Sequence, residues 1–479
     1  MWLVSRLVGK DRLVAKTMTH ERLLSGNPVE TLERWIERGG GRGLDSAREM
    51  GAEALVATVD ASGLRGRGGA GFPTAAKWRT ILEYHTRATT PVVVNGAEGE
   101  PGTFKDRTIL RHNPYQTVEG ALIAASAVGA DWIVFALKAS FERERAALTR
   151  AIEEIKAVGW ADGITIDVEL GPDAYLFGEE TALLEVIDGR EPFPRIAPPW
   201  REGVDEGAAL APTLVNNVET LSNLPQLVAR GPEWFRSEGT RRSPGTIVCT
   251  VSGDVRRDHV AEIPMGTTLR DAIDIISGGP RKGRRIAGVL SGVSGALLTG
   301  DHIDTPLTYE DMAAAGSSLG SCGFIVFDDQ TDFVAVAQGV SRFLAVESCG
   351  QCAPCKEDGK IIAAALDRLR TSTADSDDLD VVRSKVDTVA VGARCFLAQQ
   401  HQNVVRSIVD AVPEHFRGHL DRSIDVVDPY LVAEVDDLSG ERVVINERQL
   451  RKQPDWTYND TDSGASPADR IDERASGAG

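Results

Sequence analysis

The chain has 479 residues, 42% of them apolar, which is enough for roughly two to four domains with proper cores. Lys plus Arg number 53 against 71 Asp plus Glu, and a net charge of −18 argues against a nucleic-acid binder and for ordinary acidic solubility. The longest apolar stretch, residues 121–137, is broken by Ser126, Gly129 and Asp131, short of the roughly 20 clean apolar residues of a membrane span, and the amino terminus lacks the continuous apolar run of a secretory signal, so a cytoplasmic location is expected.

In chain order, 28–37 and 52–61 carry helical patterns that end at Ser62-Gly63; Met18 offers an alternative start. Then comes GLRGRGGAGFPTAAKW, in which Gly66, Gly68 and Gly71 satisfy G-x-G-x-x-G. A Rossmann fingerprint needs a strand before the glycines, and here a helix precedes them. What remains is a glycine loop at a helix amino terminus, opened by Pro73, where free N–H groups and Lys77 can meet a phosphate or a flat cofactor. The alternative is a flexible loop flanked by solvated Arg65 and Arg67.

Strand and helix patterns then alternate: strand 91–95, helix 114–128, strand 131–137, helix 141–158, strand 164–170 and helix 179–188. This predicts a parallel α/β unit, whose ligands sit beyond the carboxyl ends of the strands. Two acidic loops follow strands there: NGAEGEPG, with Asn95, Glu98 and Glu100, and GPDAYLFGEET, with Tyr175, Glu179 and Glu180. Carboxylates at such a mouth can accept hydrogen bonds from ribose hydroxyls or a carboxamide and repel a 2'-phosphate; taken singly, each loop is equally well a solvated acidic turn. After the proline-rich EPFPRIAPPWREG, the stretch APTLVNNVETLSNLPQLV is expected to open a helix, with Asn216, Asn217 and Thr220 suited to capping or to phosphate.

From Gly245 the pattern runs strand, strand, helix, strand, strand, a compact β-grasp-like module in which Cys249 and Cys322 read as buried thiols. Residues 332–416 are mostly helical. Within them VESCGQCAPCKED sets Cys349, Cys352 and Cys355 at C-x2-C-x2-C spacing, and Cys395 lies where two antiparallel helices can return it to the triplet. These four form a candidate [4Fe-4S] site; structural zinc, the alternative, more often uses two separated pairs. Beyond His419, LVAEVDDLSGERVVINE suggests a hairpin and the last residues an acidic disordered tail.

Together GLRGRGGAGFPT, GEPGTFKDR, GEETALLE, VNNVETL, PMGTTLRD, LGSCGFIVFDD and ESCGQCAPC resemble the family of flavoprotein, NADH-binding subunits of NADH-quinone oxidoreductase (respiratory complex I), with relatives in NAD-dependent hydrogenases and formate dehydrogenases. The resemblance, from about Leu23 to Phe416, implies an α/β fold: a Rossmann-like parallel-sheet FMN/NADH domain (63–243) after an amino-terminal helical segment (1–62), a β-grasp, SLBB-like domain (244–330), a four-helix bundle with one [4Fe-4S] cluster (331–417), and a carboxy-terminal extension (418–479). It further implies that Gly66, Gly68, Lys77, Asn95, Glu98, Tyr175, Glu179, Asn216, Asn217 and Thr220 line FMN, that Phe72, Glu100 and Glu180 face NADH, and that Glu98 and Glu180 serve catalysis. Its partners would be a small [2Fe-2S] subunit and a large iron–sulfur subunit, through which the chain would reach the inner face of the membrane.

Some positions depart from the family pattern: Ala97 replaces an aspartate, Thr80 an aromatic, and Ala197-Pro-Pro-Trp200 stands where a lysine and a phenylalanine are usual. The implied activity is hydride transfer from NADH to FMN followed by single-electron exit through the cluster. The alternatives are the diaphorase subunit of a hydrogenase or formate dehydrogenase, and a non-catalytic electron-transfer subunit.

Overall fold

The computed structural model describes residues 22–84, 90–204 and 212–454; the alternative start at Met18 and the expected acidic tail lie outside them. Helices α1 (Leu32–Glu37) and α2 (Arg42–Ser62) come first. Thr31 caps α1 by accepting the Arg34 N–H, and α2 stops at Gly63, whose φ of 70° gives the left-handed turn a helix end favours. A helix therefore does precede the glycine loop, which runs on into α3 (Thr74–Glu83).

The next elements are β1 (Val92–Asn95), α4 (Lys105–His112), α5 (Pro114–Val128), β2 (Trp132–Lys138), α6 (Glu142–Ala157), β3 (Thr165–Gly171), α7 (Glu180–Ile187), β4 (Leu214–Asn217), α8 (Val218–Ser222) and α9 (Leu224–Arg230). The four strands make one parallel sheet in the order β3-β2-β1-β4. Covered on both faces, β1 and β2 read as continuous apolar runs, and α5 is buried almost all round.

Two elements differ from the sequence expectation. Residues 214–217 form a strand and not a helix: they pair with β1 from Val92↔Leu214 to Asn95↔Asn217, and the helix starts at Val218 with Asn217 as its cap. Residues 105–112, unassigned in the sequence, form α4.

A second sheet has the order β6-β5-β8-β7, built from β5 (Thr246–Gly253), β6 (His259–Pro264), β7 (Ile286–Ser291) and β8 (Gly323–Asp328), with α10 (Leu269–Ser277) between β6 and β7. Its central strands β5 and β8 run parallel and each outer pair is antiparallel, following the predicted element order. Cys249 and Cys322 are buried free thiols here. Then α11 (Phe333–Glu347), α12 (Ala353–Arg370), α13 (Asp378–Thr388) and α14 (Leu397–Ala411) enclose a common apolar core, followed by α15 (Pro413–Leu420). Among the described residues no helix is long and apolar enough to cross a membrane.

The last segment returns across everything before it. Tyr430 packs edge-on to Phe327 with centroids 5.4 Å apart, and the hairpin of β9 (Val435–Ser439) and β10 (Arg442–Ile445) lies against Asp258, which accepts the Val443 N–H at 2.9 Å. Glu434 pairs with Lys138, whose side chain is wholly buried. Lys452 reaches Glu347 at the end of α11, at 2.7 and 2.8 Å.

Removing one member of a buried ion pair leaves the other uncompensated, which costs about 3–5 kcal/mol, whereas removing both is far milder. Glu434→Gln is therefore expected to lower the urea-unfolding free energy by about that amount, and Lys138→Met combined with Glu434→Leu to recover most of it. An unchanged midpoint in the single variant would show that the pair carries no stability.

A second expectation comes from the bundle core. His401 is wholly buried, 2.7 Å from Ser341 Oγ, and desolvation pushes its pKa down to about 4 from the usual 6.5. The unfolded chain takes up this proton first, so stability is lost as pH falls from about 6.5 toward 4, by up to about 1.4 kcal/mol per pH unit. His401→Gln should flatten that slope in chemical unfolding, with any acid loss of a cluster read separately by visible absorbance.

Candidate functional site

In the parallel sheet β2 and β3 lie to one side of β1 and β4 to the other, so the connections part between β1 and β4, where open α/β sheets bind ligands. The two strands end together, Asn95 beside Asn217. The glycine loop closes over this point. Its base is pinned by Gly66 N–H to Phe72 O at 2.8 Å and Thr74 N–H to Leu64 O at 3.0 Å.

Arg67 is not solvated. Its N–H donates to Thr220 Oγ1 at 2.8 Å, and its buried guanidinium donates to the carbonyls of Pro244 and Thr246 at 3.1 Å and to Tyr309 at 3.0 Å. Arg65 lies over the Tyr309 ring, 4.0 Å from its centroid. The loop is thus a clamped element between the two sheets. At Gly71 (φ 62°) a side chain would meet the Tyr309 ring at 2.3 Å, and at Gly68 a Cβ would stand 3.2 Å from that of Asn217. Gly68 and Phe72 stay exposed at the mouth.

Around that mouth Lys77 Nζ donates to Val215 O at 2.9 Å and pairs with Glu180, the first residue of α7. Asn95 Nδ2 donates to Gly178 O at 2.8 Å. Glu179 caps α7, accepting the N–H groups of Thr181 and Ala182 at 3.0 and 2.9 Å, and burial raises its pKa. Gly68, Phe72, Lys77, Asn95, Asn217, Glu179 and Glu180 are thereby gathered where the two strands end. A loop that approaches closely, an amine, strand-end amides and helix starts suit a flat, phosphate-bearing cofactor.

Other predicted residues stand further in. Asn216 accepts the Trp78 indole N–H at 3.0 Å, and Thr220 is wholly buried under Arg67. Glu98, expected as a catalytic carboxylate, has both oxygens committed inside the fold: Oε1 accepts the Lys105 and Asp106 N–H groups at 2.9 and 3.0 Å, and Oε2 the Arg107 Nε at 3.0 Å. The carboxylate thereby holds the start of α4. Glu100 accepts the Val293 N–H at 2.7 Å and the Tyr175 hydroxyl at 2.6 Å, and burial raises its pKa.

Lys105 escaped the sequence reading, because KDR looks like a solvated surface. It is wholly buried, 2.8 Å from Asp106 and 2.9 Å from Glu219. Burial opposes its charge, but Asp106, Glu219 and Glu98 more than offset this and raise its pKa.

Cys349, Cys352, Cys355 and Cys395 line one cavity with Leu176, Pro194, Leu397 and Ala398. Cys349 follows α11, Gly350 turns the chain at φ 75°, Cys352 caps α12, Cys355 sits in its first turn, and Cys395 directly precedes the cap of α14. Two helix amino termini therefore meet at the sulfurs, and their dipoles favour thiolate. Burial pulls the other way, raising Cys349, Cys395 and Cys355, the last to about 11. Thiolates in such a place need a cationic core.

Among the described residues no group of three or more His, Cys, Asp or Glu could hold a metal ion. Four thiols lining one cavity, three of them at C-x2-C-x2-C spacing, suit an iron–sulfur cluster. The ring and the crevice share one segment: Leu176 lines the cavity, and Tyr175 bonds Glu100 on one side and Gln400 of α14, whose Nε2 donates at 2.8 Å, on the other.

Residues 59–226 match the family described as the Nuo51 FMN-binding domain, and residues 335–419 the NADH-ubiquinone oxidoreductase-F iron-sulfur binding region. The second of the F subunits of NADH-quinone oxidoreductase in Rhizobium meliloti (strain 1021) is 34% identical over 396 residues, 80% of this chain and 93% of that one. The HndC subunit of the NADP-reducing hydrogenase of Solidesulfovibrio fructosivorans is 34% identical over 82% of this chain and 81% of its own. Among solved structures, a chain of an NAD+-reducing [NiFe]-hydrogenase in the air-oxidized state superposes with a TM-score of 0.72 at 32% identity, covering 85% of this chain and 70% of that one. With two family regions in order and relatives matched along most of their length, the chain belongs to the family of NADH-quinone oxidoreductase F subunits.

Proposed function

We propose that the chain is the NADH-oxidising flavoprotein subunit of a multisubunit NADH-quinone oxidoreductase, taking hydride from NADH onto FMN in the crevice and passing electrons singly through a [4Fe-4S] cluster on Cys349, Cys352, Cys355 and Cys395. The observation that carries this reading is the shared segment 175–180, which belongs at once to the crevice through Glu179 and Glu180 and to the cysteine cavity through Leu176. FMN supplies the conversion of a two-electron donor to one-electron steps, and the chain supplies binding, orientation and exclusion of water.

In this reading Gly66 and Gly68 let the backbone approach the flavin, and Lys77 and the strand-end amides of Asn95 and Asn217 hold its polar atoms. Glu180, with its side chain 41% exposed, is the carboxylate available to orient the nicotinamide carboxamide. Glu98 keeps α4 in place. Phe72, 53% exposed, offers a ring for the nucleotide to lie against. The partners are a small [2Fe-2S] subunit and a large iron–sulfur subunit, which would keep the chain at the inner face of the cell membrane. The likeness to a hydrogenase chain favours a second reading, a diaphorase subunit working toward NAD reduction.

Anaerobically purified protein is expected to carry FMN and four irons, and NADH should bleach its flavin band faster than NADPH. A flavin that stays oxidised with both nucleotides would sink the proposal. Glu180→Gln should lower kcat/KM for NADH about 10- to 100-fold, the loss of roughly 1.4–2.8 kcal/mol of transition-state stabilisation, with FMN content unchanged. Wild-type kinetics in that variant would remove Glu180 from the nucleotide site. Co-purification with hydrogenase subunits in place of quinone-reductase subunits would decide for the second reading.

A further inference from the structure

The cysteine ring is touched by a side chain that the proposed electron transfer does not use. Gln351, between Cys349 and Cys352, donates its Nε2 to Cys349 Sγ at 3.3 Å and to the Pro194 carbonyl at 3.2 Å. Its other end, Oε1, accepts Arg394 Nη1 at 3.0 Å. An amide can turn end for end, presenting oxygen where nitrogen was. Both neighbours forbid that here: Arg394 has only donors to offer, and the Pro194 carbonyl only an acceptor. The amide is locked with its N–H toward the sulfur.

Arg394 precedes Cys395 and is exposed, and with Pro194 it lines both the cysteine cavity and a surface groove of about 610 Å³. Among the described residues it forms no ion pair, so its charge is not spent on a carboxylate. Hydrogen bonds donated to cysteine sulfurs, and nearby positive charge, stabilise the reduced cluster and raise its potential. Ser348 Oγ lies 3.3 Å from Cys355 Sγ, but that hydroxyl can donate or accept; Gln351 is the side-chain donor whose direction is fixed.

We propose that Gln351 is a potential-setting donor to the cluster and that Arg394 is its positioning residue, acting through the amide and not only through its own charge. This rests on the cluster reading above. Replacing Arg394 leaves only the Pro194 carbonyl to hold the amide, so the side chain can swing away from Cys349, which costs the sulfur its side-chain donor. A lysine at 394 still donates to Oε1 and keeps the amide as it is.

The test is an anaerobic redox titration of the whole protein, following the cluster by electron paramagnetic resonance and the iron–thiolate stretches by resonance Raman. Gln351→Leu and Arg394→Leu should both move the midpoint to more negative values and shift the stretches, while Arg394→Lys stays near wild type. In the Gln351→Leu background, Arg394→Leu should shift the midpoint less than it does in the otherwise wild-type chain, leaving only the part due to its charge. An unmoved midpoint in Gln351→Leu, or an Arg394→Leu shift equal in both backgrounds, overturns the proposal. Should Gln351→Leu not retain the cluster, Arg394→Leu against Arg394→Lys decides: equal midpoints and stretches overturn it, and a shift confined to the leucine supports it. A wild-type chain with no cluster overturns the electron-transfer reading and this inference together; a loaded cluster with unmoved potentials overturns this inference alone.

Discussion

The buried ammonium of Lys105 is the contact on which the rest of the molecule depends. It holds Asp106 and Glu219 together, and its neighbour Asn217 donates to Asp106 at 2.7 Å while capping α8. Glu219 in turn accepts the Val248 N–H at 2.9 Å, which fixes the second sheet to the first. Glu98 and Arg107 add a parallel tie, and Arg107 donates onward to the carbonyls of Val435 and Asp436. The end of β1, the start of α4, the end of β4, strand β5 and the returning segment all meet around one group of charges. Charges out of water are tolerable only when each is paired and hydrogen-bonded, so the group admits little rearrangement. That rigidity gives the mouth above it a fixed shape.

Helix starts recur wherever negative charge is expected. At the crevice α7 and α8 begin at Glu179 and Asn217; at the sulfurs α12 and α14 begin at Cys352 and Phe396. The first pair faces a phosphate-bearing cofactor in the proposed reading and the second a set of thiolates. One backbone device therefore serves both ends of the proposed electron route, with Lys77 at one end and Arg394 at the other.

Much of the layout is legible in the sequence because its signals are local. The alternation from Pro91 to Asp188 follows from apolar runs separated by turns, and the three closely spaced cysteines announce themselves by number. The misreadings have a different origin. Leu214–Asn217 holds only two apolar residues before two asparagines, and it is a strand because β1 lies beside it, a neighbour the local sequence does not contain. Lys105, Asp106 and Arg107 look solvated because their partners are Glu98, Glu219 and the Val435 carbonyl, two of them far along the chain. Glu98 belongs to a family-like motif, but its task is set by the helix that follows it. Gln351 stands in plain sight inside the cysteine motif, and only the position of Pro194 and Arg394 reveals what its amide does.

The segment that returns across the molecule has a consequence for how the chain is made. Residues 430–452 are synthesised after every element they bind, yet Glu434 partners Lys138, the Val435 carbonyl receives Arg107, and Lys452 partners Glu347. While the ribosome still holds that segment, Lys138 lacks the Glu434 carboxylate, Arg107 lacks the Val435 carbonyl and Glu347 lacks the Lys452 cation. Domains generally fold in order from the amino terminus during synthesis. The last stretch to emerge therefore completes contacts to the parallel sheet, the second sheet and the helical bundle that the earlier parts cannot make by themselves.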